Sequence, residues 1–275
     1  MASVGRYCGT TGGGDGDGTS WANRAALFDS GNWSSVLTGF DFSGSDSLLA
    51  LVGPGTHTCT QSLTNAIFSN PPSTPNNLVL HGCDADGVIL TPPDPGWVSA
   101  EPAWDDSGLP VLSMSTNIYL SNVPACILRL LRIEASGNTS NQVLGAVGLV
   151  DWCSIVCSSS NASVQGCNAA VIANSLIAMT GSAYAQACGA ATVLRSRLTG
   201  NSSATSGNRH GWASTGAYPL LIEMTVVDHP GGGIVSLSTS TSFAALIASC
   251  LVNHNGGSGI VLPSTASQTA LSRIV

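Results

Sequence analysis

Paired carboxylates are the side chains in this sequence most able to do chemistry. Glycoside cleavage needs an acid and a base or nucleophile about 5–9.5 Å apart. Three groupings offer them: Asp84 with Asp86, Glu101 with Asp105 and Asp106, and Glu134 with Asp151. Asp84-Ala85-Asp86-Gly87 reads as a turn, because Asp bonds its own downstream backbone and Gly accepts the reversed φ. Glu101, Asp105 and Asp106 stand beside Trp97 and Trp104, whose faces can stack on sugar rings. That segment reads either as a glycan-contacting or catalytic loop, or as a loop folded over the flank of the molecule. Asp228 and His229, with His254 further on, read as an acid–base cluster or as a polar ladder of turns. Arg209, His210, Trp212 and Tyr218 form a further group suited to contacting a glycan or a partner. No Gly-x-Ser-x-Gly elbow, dinucleotide loop or phosphate loop occurs in a suitable context. There is no lysine, so a lyase would need arginine as its basic group. The reading calls for no cofactor and no metal.

The elements that must position these residues repeat. Ile133, Ile155, Leu176, Leu198, Val226 and Leu251 are about 21 to 28 residues apart, within the range of solenoid repeats. Five residues before them stand Leu128, Val150, Val171, Val193, Leu221 and Leu246. A short strand, a turn-rich connection and a return to the same column lets each unit bury its apolar face on its neighbours. With strands about 4.8 Å apart, this alignment stacks Asn201, His229 and His254 along one edge. It also sets Arg195 and Glu223 in one outer column, where they could pair. The expected class is all-β, a single-stranded right-handed parallel β-helix.

Composition narrows the function. With 43 % apolar residues the chain can bury a continuous core, and it lacks the low apolar content of disordered chains. Only 8 % of residues are charged, and the net charge is −7. That excludes the basic footprint of a nucleic-acid binder. The apolar runs are too short or too interrupted to span a bilayer, so no membrane insertion is expected. The nine cysteines contain no C-x-x-C; they read as small buried hydrophobes, with one or two disulfides as the alternative. Met1–Tyr7 lacks the pattern of a signal peptide, which suggests a protein made without a conventional export signal.

Residues 1–30 read as a turn region leading into a short capping helix over Thr19–Phe28, with Thr19 or Ser20 as N-cap. Residues 31–275 read as the solenoid, with loop excursions near 91–110 and 200–219. Earlier strands are expected at Ser47–Val52, Asn77–Leu80, Gly87–Leu90, Val111–Met114 and Asn117–Leu120.

The opening Arg6-Tyr7-Cys8, the Gly12–Gly18 run with Asp15 and Asp17, Thr19-Ser20-Trp21-Ala22 and Ala25-Ala26-Leu27 resemble the start of right-handed parallel β-helix (pectin-lyase-like) proteins. Val171–Ile177, Leu246–His254 and Gly256-Gly257-Ser258-Gly259-Ile260 resemble rungs of that class. The class holds polysaccharide lyases and hydrolases, and also bacteriophage tailspikes and virion decoration or appendage proteins, commonly homotrimers. The Asp-Asp and Gly-His-Gly signatures of its pectin hydrolases are not matched; His81-Gly82 and His210-Gly211 are fragments of them. The resemblance therefore implies a non-enzymatic virion protein, assembled in the host cytoplasm with other virion proteins and contacting surface polysaccharide. The alternative it implies is a glycan-degrading tailspike or an extracellular enzyme of the same fold.

Overall fold

A computed structural model describes residues 3–11, 14–15, 17–26, 42, 47–59, 62–64, 77–93, 105–115, 120–136, 142–216, 218–239, 244–263 and 268–272. These residues are all-β: two sheets, of 16 and 8 strands, in which every strand pair is parallel. Their pairing resolves into three ladders. The first stacks the start of Leu120–Arg129, the start of Gln142–Asp151, then Gln165–Asn168, Gln186–Cys188, His210–Ser214, Gly232–Ser236 and Ile260–Val261. The second stacks Ser3–Gly9, Ser47–Val52, Leu78–Gly82, the ends of the two long strands, then Val171–Ala173, Thr192–Leu194, Leu220–Ile222, Ala244–Ala248 and Gln268–Ser272. The third runs from Thr56–Cys59 through Val111–Met114, Arg132–Ala135, Ser154–Cys157, Leu176–Met179, Arg197–Thr199 and Thr225–Val227 to Leu251–Asn253. From residue 120 onward the chain visits the first, second and third ladders in turn and then returns to the first. That order is compatible with a parallel β-helix.

Alternation along each strand sends one residue set inward. In the third ladder the inward column is Leu112, Ile133, Ile155, Ile177, Leu198 and Val226, all fully buried. Val252 is its partly buried successor. The aligned positions are thus Ile177 and Val252, where the sequence pattern selects Leu176 and Leu251. In the second ladder the buried column is likewise Leu128, Val150, Ile172, Val193, Leu221 and Ile247, rather than one containing Val171 and Leu246.

The corner between the second and third ladders explains how the register is held. Leu130, Trp152, Asn174, Arg195, Glu223 and Ser249 all have φ between 45° and 55°, a left-handed conformation uncommon for non-glycine residues. Each is followed by a buried residue: Leu131, Cys153, Ser175, Ser196, Met224 or Cys250. The left-handed residue reverses the chain in one step, so its side chain leaves the coil while the next enters the core. Its backbone N–H still bonds to the following rung, as Asn174 does to Leu194 O at 3.0 Å and Arg195 to Ile222 O at 2.9 Å. Serines finish the corner: the Ser175 and Ser196 hydroxyls accept the N–H groups of Cys153 and Ser175.

The helix expected over Thr19–Phe28 is not formed in its described part, residues 19–26. The Asp17 carboxylate accepts both the N–H and the hydroxyl of Thr19. Gly18 meanwhile bonds to Tyr7 and to Asn23. These contacts fold the segment back along the first strand, where Ala25–Ala26 pairs with Cys8–Gly9. All nine cysteines are free and buried, and all but Cys83 belong to the hydrophobic core.

Candidate functional site

Most of the candidate residues that the structure describes are engaged in contacts within the fold. Asp106 bonds the Arg132 guanidinium at 2.8 Å, and the same guanidinium takes Glu134 at 2.7 Å. Leu90 and Leu109 pack on Leu130 and Trp152 just beyond the ladder corner. The described ends of the 83–110 connection are therefore stapled to the flank. Asp105 accepts the Ser107 N–H at 3.0 Å, and bonding to the Ser107 side chain and backbone holds its carboxyl below the usual range. Asp84 closes its own turn by accepting the N–H groups of Asp86 and Val88. Trp97, Glu101 and Trp104 lie outside the described residues.

The register divides the Asp228–His229–His254 grouping between two columns. Because the third ladder aligns Thr199, Val227 and Asn253, the next positions align Gly200 with Asp228 and His254, and then Asn201 with His229 and Asn255. Hydrogen bonds follow that order. Asn255 accepts the His229 N–H at 2.9 Å and donates to Val226 O, while Asn201 donates to Thr180 O and Gly181 O. The His229 ring turns inward and is fully buried. The Tyr184 hydroxyl is hydrogen-bonded to its Nδ1 at 3.0 Å. Burial, partly offset by the Leu198 carbonyl, pushes its pKa down to about 4. Asp228 and His254 are left-handed turn residues. Trp212 is a core residue at 1 % exposure, its Nε1–H bonded to Ala190 O, so it offers no surface for stacking. Tyr218 is 68 % exposed. Arg209, another left-handed residue, donates to Ala204 O. Arg195 and Glu223 share the corner column as expected, but no ion pair joins them.

His210 alone among the candidates joins a row with others like it. In the first ladder the register stacks Gln142, Gln165, Gln186 and His210 on four successive rungs. The three glutamines are linked through their amides and Asn168, while His210 stands outside that network. Gln142 Nε2 and Asn168 Nδ2 both donate to Gln165 Oε1, and Gln186 Nε2 donates to Asn168 Oδ1 at 3.4 Å. Gly189 leaves room for this, since a Cβ there would overlap the Asn168 and Gln186 amides. The row is half-buried except for Gln186, which is 8 % exposed. It presents uncharged donors and acceptors about 4.8 Å apart. Burial also lowers the pKa of His210, so near neutral pH its imidazole is uncharged and completes a neutral strip. Such a strip can exchange hydrogen bonds with hydroxyl groups, and it carries no carboxylate.

Glutamine is neither an acid nor a usual metal ligand, so the row carries no catalytic signal in the sequence. The spacing was the available signal: Gln142, Gln165 and Gln186 are separated by one rung each. A second polar run lies on the second ladder, where Asp151 accepts from Arg129 at 2.9 Å and from Asn174 at 2.9 Å. His81 is the next residue up the same column. No protein-family model, curated protein or solved structure matches this chain.

Proposed function

We propose that the chain is a right-handed parallel β-helix serving as a non-enzymatic structural protein of a virion, a capsid decoration or a head or tail appendage. In this reading it contacts host-surface polysaccharide along the Gln142–Gln165–Gln186–His210 row. The row carries the proposal: four neutral hydrogen-bonding side chains in register suit a linear, hydroxyl-rich chain better than a charged or apolar ligand. The use of Asp105, Asp106 and His229 as structural contacts supports a binding rather than a catalytic role. The resemblance of the opening segment and of the rungs to right-handed parallel β-helix proteins, a class that includes virion proteins, supplies the setting.

Binding to a panel of capsular and uronate polysaccharides, with wild type beside Gln165→Ala, tests this. Gln165 accepts from two neighbours, so its loss is expected to weaken binding about tenfold, the worth of roughly one hydrogen bond. Unchanged binding in a folded Gln165→Ala protein, or no binding to any glycan, would remove the row from the account.

A second reading, glycan cleavage, draws on one observation: Asp106 and Glu134 converge on Arg132. It requires an activity that Glu134→Gln abolishes.

A further inference from the structure

Among the described residues the third ladder ends at Leu251–Asn253. The turn that follows carries the single Asn-Gly step of the chain, Asn255-Gly256. Such a step is chemically labile. Glycine has no Cβ, so its backbone nitrogen can reach the carbonyl carbon of the preceding asparagine side chain.

The fold itself calls for both halves of this step. Asn255 stands in the column of Asn201 and His229, where its side chain both accepts and donates. Its Oδ1 takes the His229 N–H at 2.9 Å, and its Nδ2 donates to Val226 O at 3.2 Å. Gly256 lies against Pro230 of the rung before, and a Cβ there would come within 2.8 Å of Pro230 O. On the two preceding rungs the same pair of positions holds Asn201-Ser202 and His229-Pro230, neither of which is an Asn-Gly step.

The contacts that require the step also guard it. The Gly256 N–H donates to His229 O at 3.0 Å, so the attacking nitrogen and both ends of the side chain are held by one neighbouring rung. The other side of the turn is open: Asn253, His254, Gly256 and Gly257 are exposed and Asn255 is half-buried. A turn supported from one side opens more readily than the middle of a ladder.

We propose that Asn255 is a modification site, deamidated by its own backbone when this turn opens, with a product that cannot close the turn again. The Gly256 nitrogen bonds to Asn255 Cγ; the Cγ–Nδ2 bond breaks, and the amide leaves as ammonia with the proton from Gly256. Water then opens the succinimide at either carbonyl, giving aspartate or isoaspartate. No reactant besides water is consumed. Aspartate at this position has no donor for Val226 O and sets a negative charge against that carbonyl. Isoaspartate adds a methylene to the main chain, which takes the Gly256 N–H out of line with His229 O. Either product therefore loosens the turn that carries His229.

Incubation of the intact chain in mildly alkaline buffer, native and in denaturant, tests this, with peptide mapping by mass and an isoaspartate assay as readouts. Asn255 is expected to be the first asparagine converted, at least about tenfold more slowly in native than in unfolded chain. The rate should rise with pH, because the attacking nitrogen must lose its proton. In folded Asn255→Asp the Gly256 amide should exchange its hydrogen at least about tenfold faster than in wild type. Where that variant fails to fold, wild-type chain aged after folding gives the same readout. Equal rates in native and unfolded chain overturn the proposal, as does earlier conversion of another asparagine. Unchanged exchange at Gly256 in the converted chain overturns it too. None of these outcomes requires a ligand, so glycan binding stands or falls separately.

Discussion

At the scale of single residues, His229 shows how a group that reads as chemistry in the sequence serves packing in the fold. Its column carries Asn201 and Asn255 on the rungs either side, and those amides bond outward to backbone carbonyls. The histidine instead turns inward to Tyr184. A neutral imidazole fits there; a charged one does not, and its pKa falls from 6.5 to about 4. As pH drops, the unfolded chain therefore takes up this proton first. The associated stability is complete above about pH 6.5 and fades between there and about pH 4, amounting to roughly 3 kcal/mol. Burial shifts His57, His81 and His210 in the same direction, and their contributions add to the acid sensitivity. Thermal melts across pH 7.5 to 4 are expected to show this loss. His229→Asn should start about 1 kcal/mol less stable through loss of the Tyr184 bond, yet decline less steeply. An equal slope in the variant would mean that the buried imidazole does not titrate as argued.

At the scale of elements, the one-residue corner decides the register. Leu176 and Ile177 are both aliphatic, as are Leu251 and Val252, so apolarity alone cannot select which enters the core. The corner selects: after left-handed Asn174 and buried Ser175, Ile177 is the inward residue. Ile177→Ala is accordingly expected to cost about 2–5 kcal/mol and Leu176→Ala under about 1 kcal/mol, measurable by denaturant unfolding. Reversed costs would restore the sequence alignment. The strands Ser47–Val52 and Val111–Met114 were legible to the residue, because turn formers bound each apolar run. Gly87–Leu90 was not: Asp84 and Gly87 close a tight turn there, and only Ile89 bridges back to Cys83. The slip at Leu251 then misplaced His254, and the ladder of turns became Asn201, His229 and Asn255. The capping helix failed for a local reason, the hold of Asp17 on Thr19, which a helix-start pattern does not encode.

At the scale of the whole molecule, the three ladders divide labour in a way that composition could not show. Few charges and many hydroxyl and amide groups describe the average exterior, but the register sorts it into an amide face, a mixed face and an aliphatic face. Repetition is what makes a weak side chain useful here. One glutamine is an ordinary surface residue, whereas Gln142, Gln165 and Gln186 in register, ending at His210, form a strip. The same repetition lines up Val171, Leu220 and Leu246 into a continuous aliphatic column broken at Thr192. The candidate carboxylates were legible as residues but not as contacts, since the partner of Asp106 is 26 positions away.

On the proposed reading the chain binds polysaccharide and does not cut it. The direct test is prolonged incubation of the purified chain with host-type capsular and uronate polysaccharides, followed by size-exclusion chromatography with light scattering of the glycan. Polysaccharide of unchanged length, part of it eluting with the protein, is the expected result. Progressive shortening, abolished by Glu134→Gln or by substitution of Glu101, Asp105, Asp106 or Asp228, would contradict it and make the chain an enzyme.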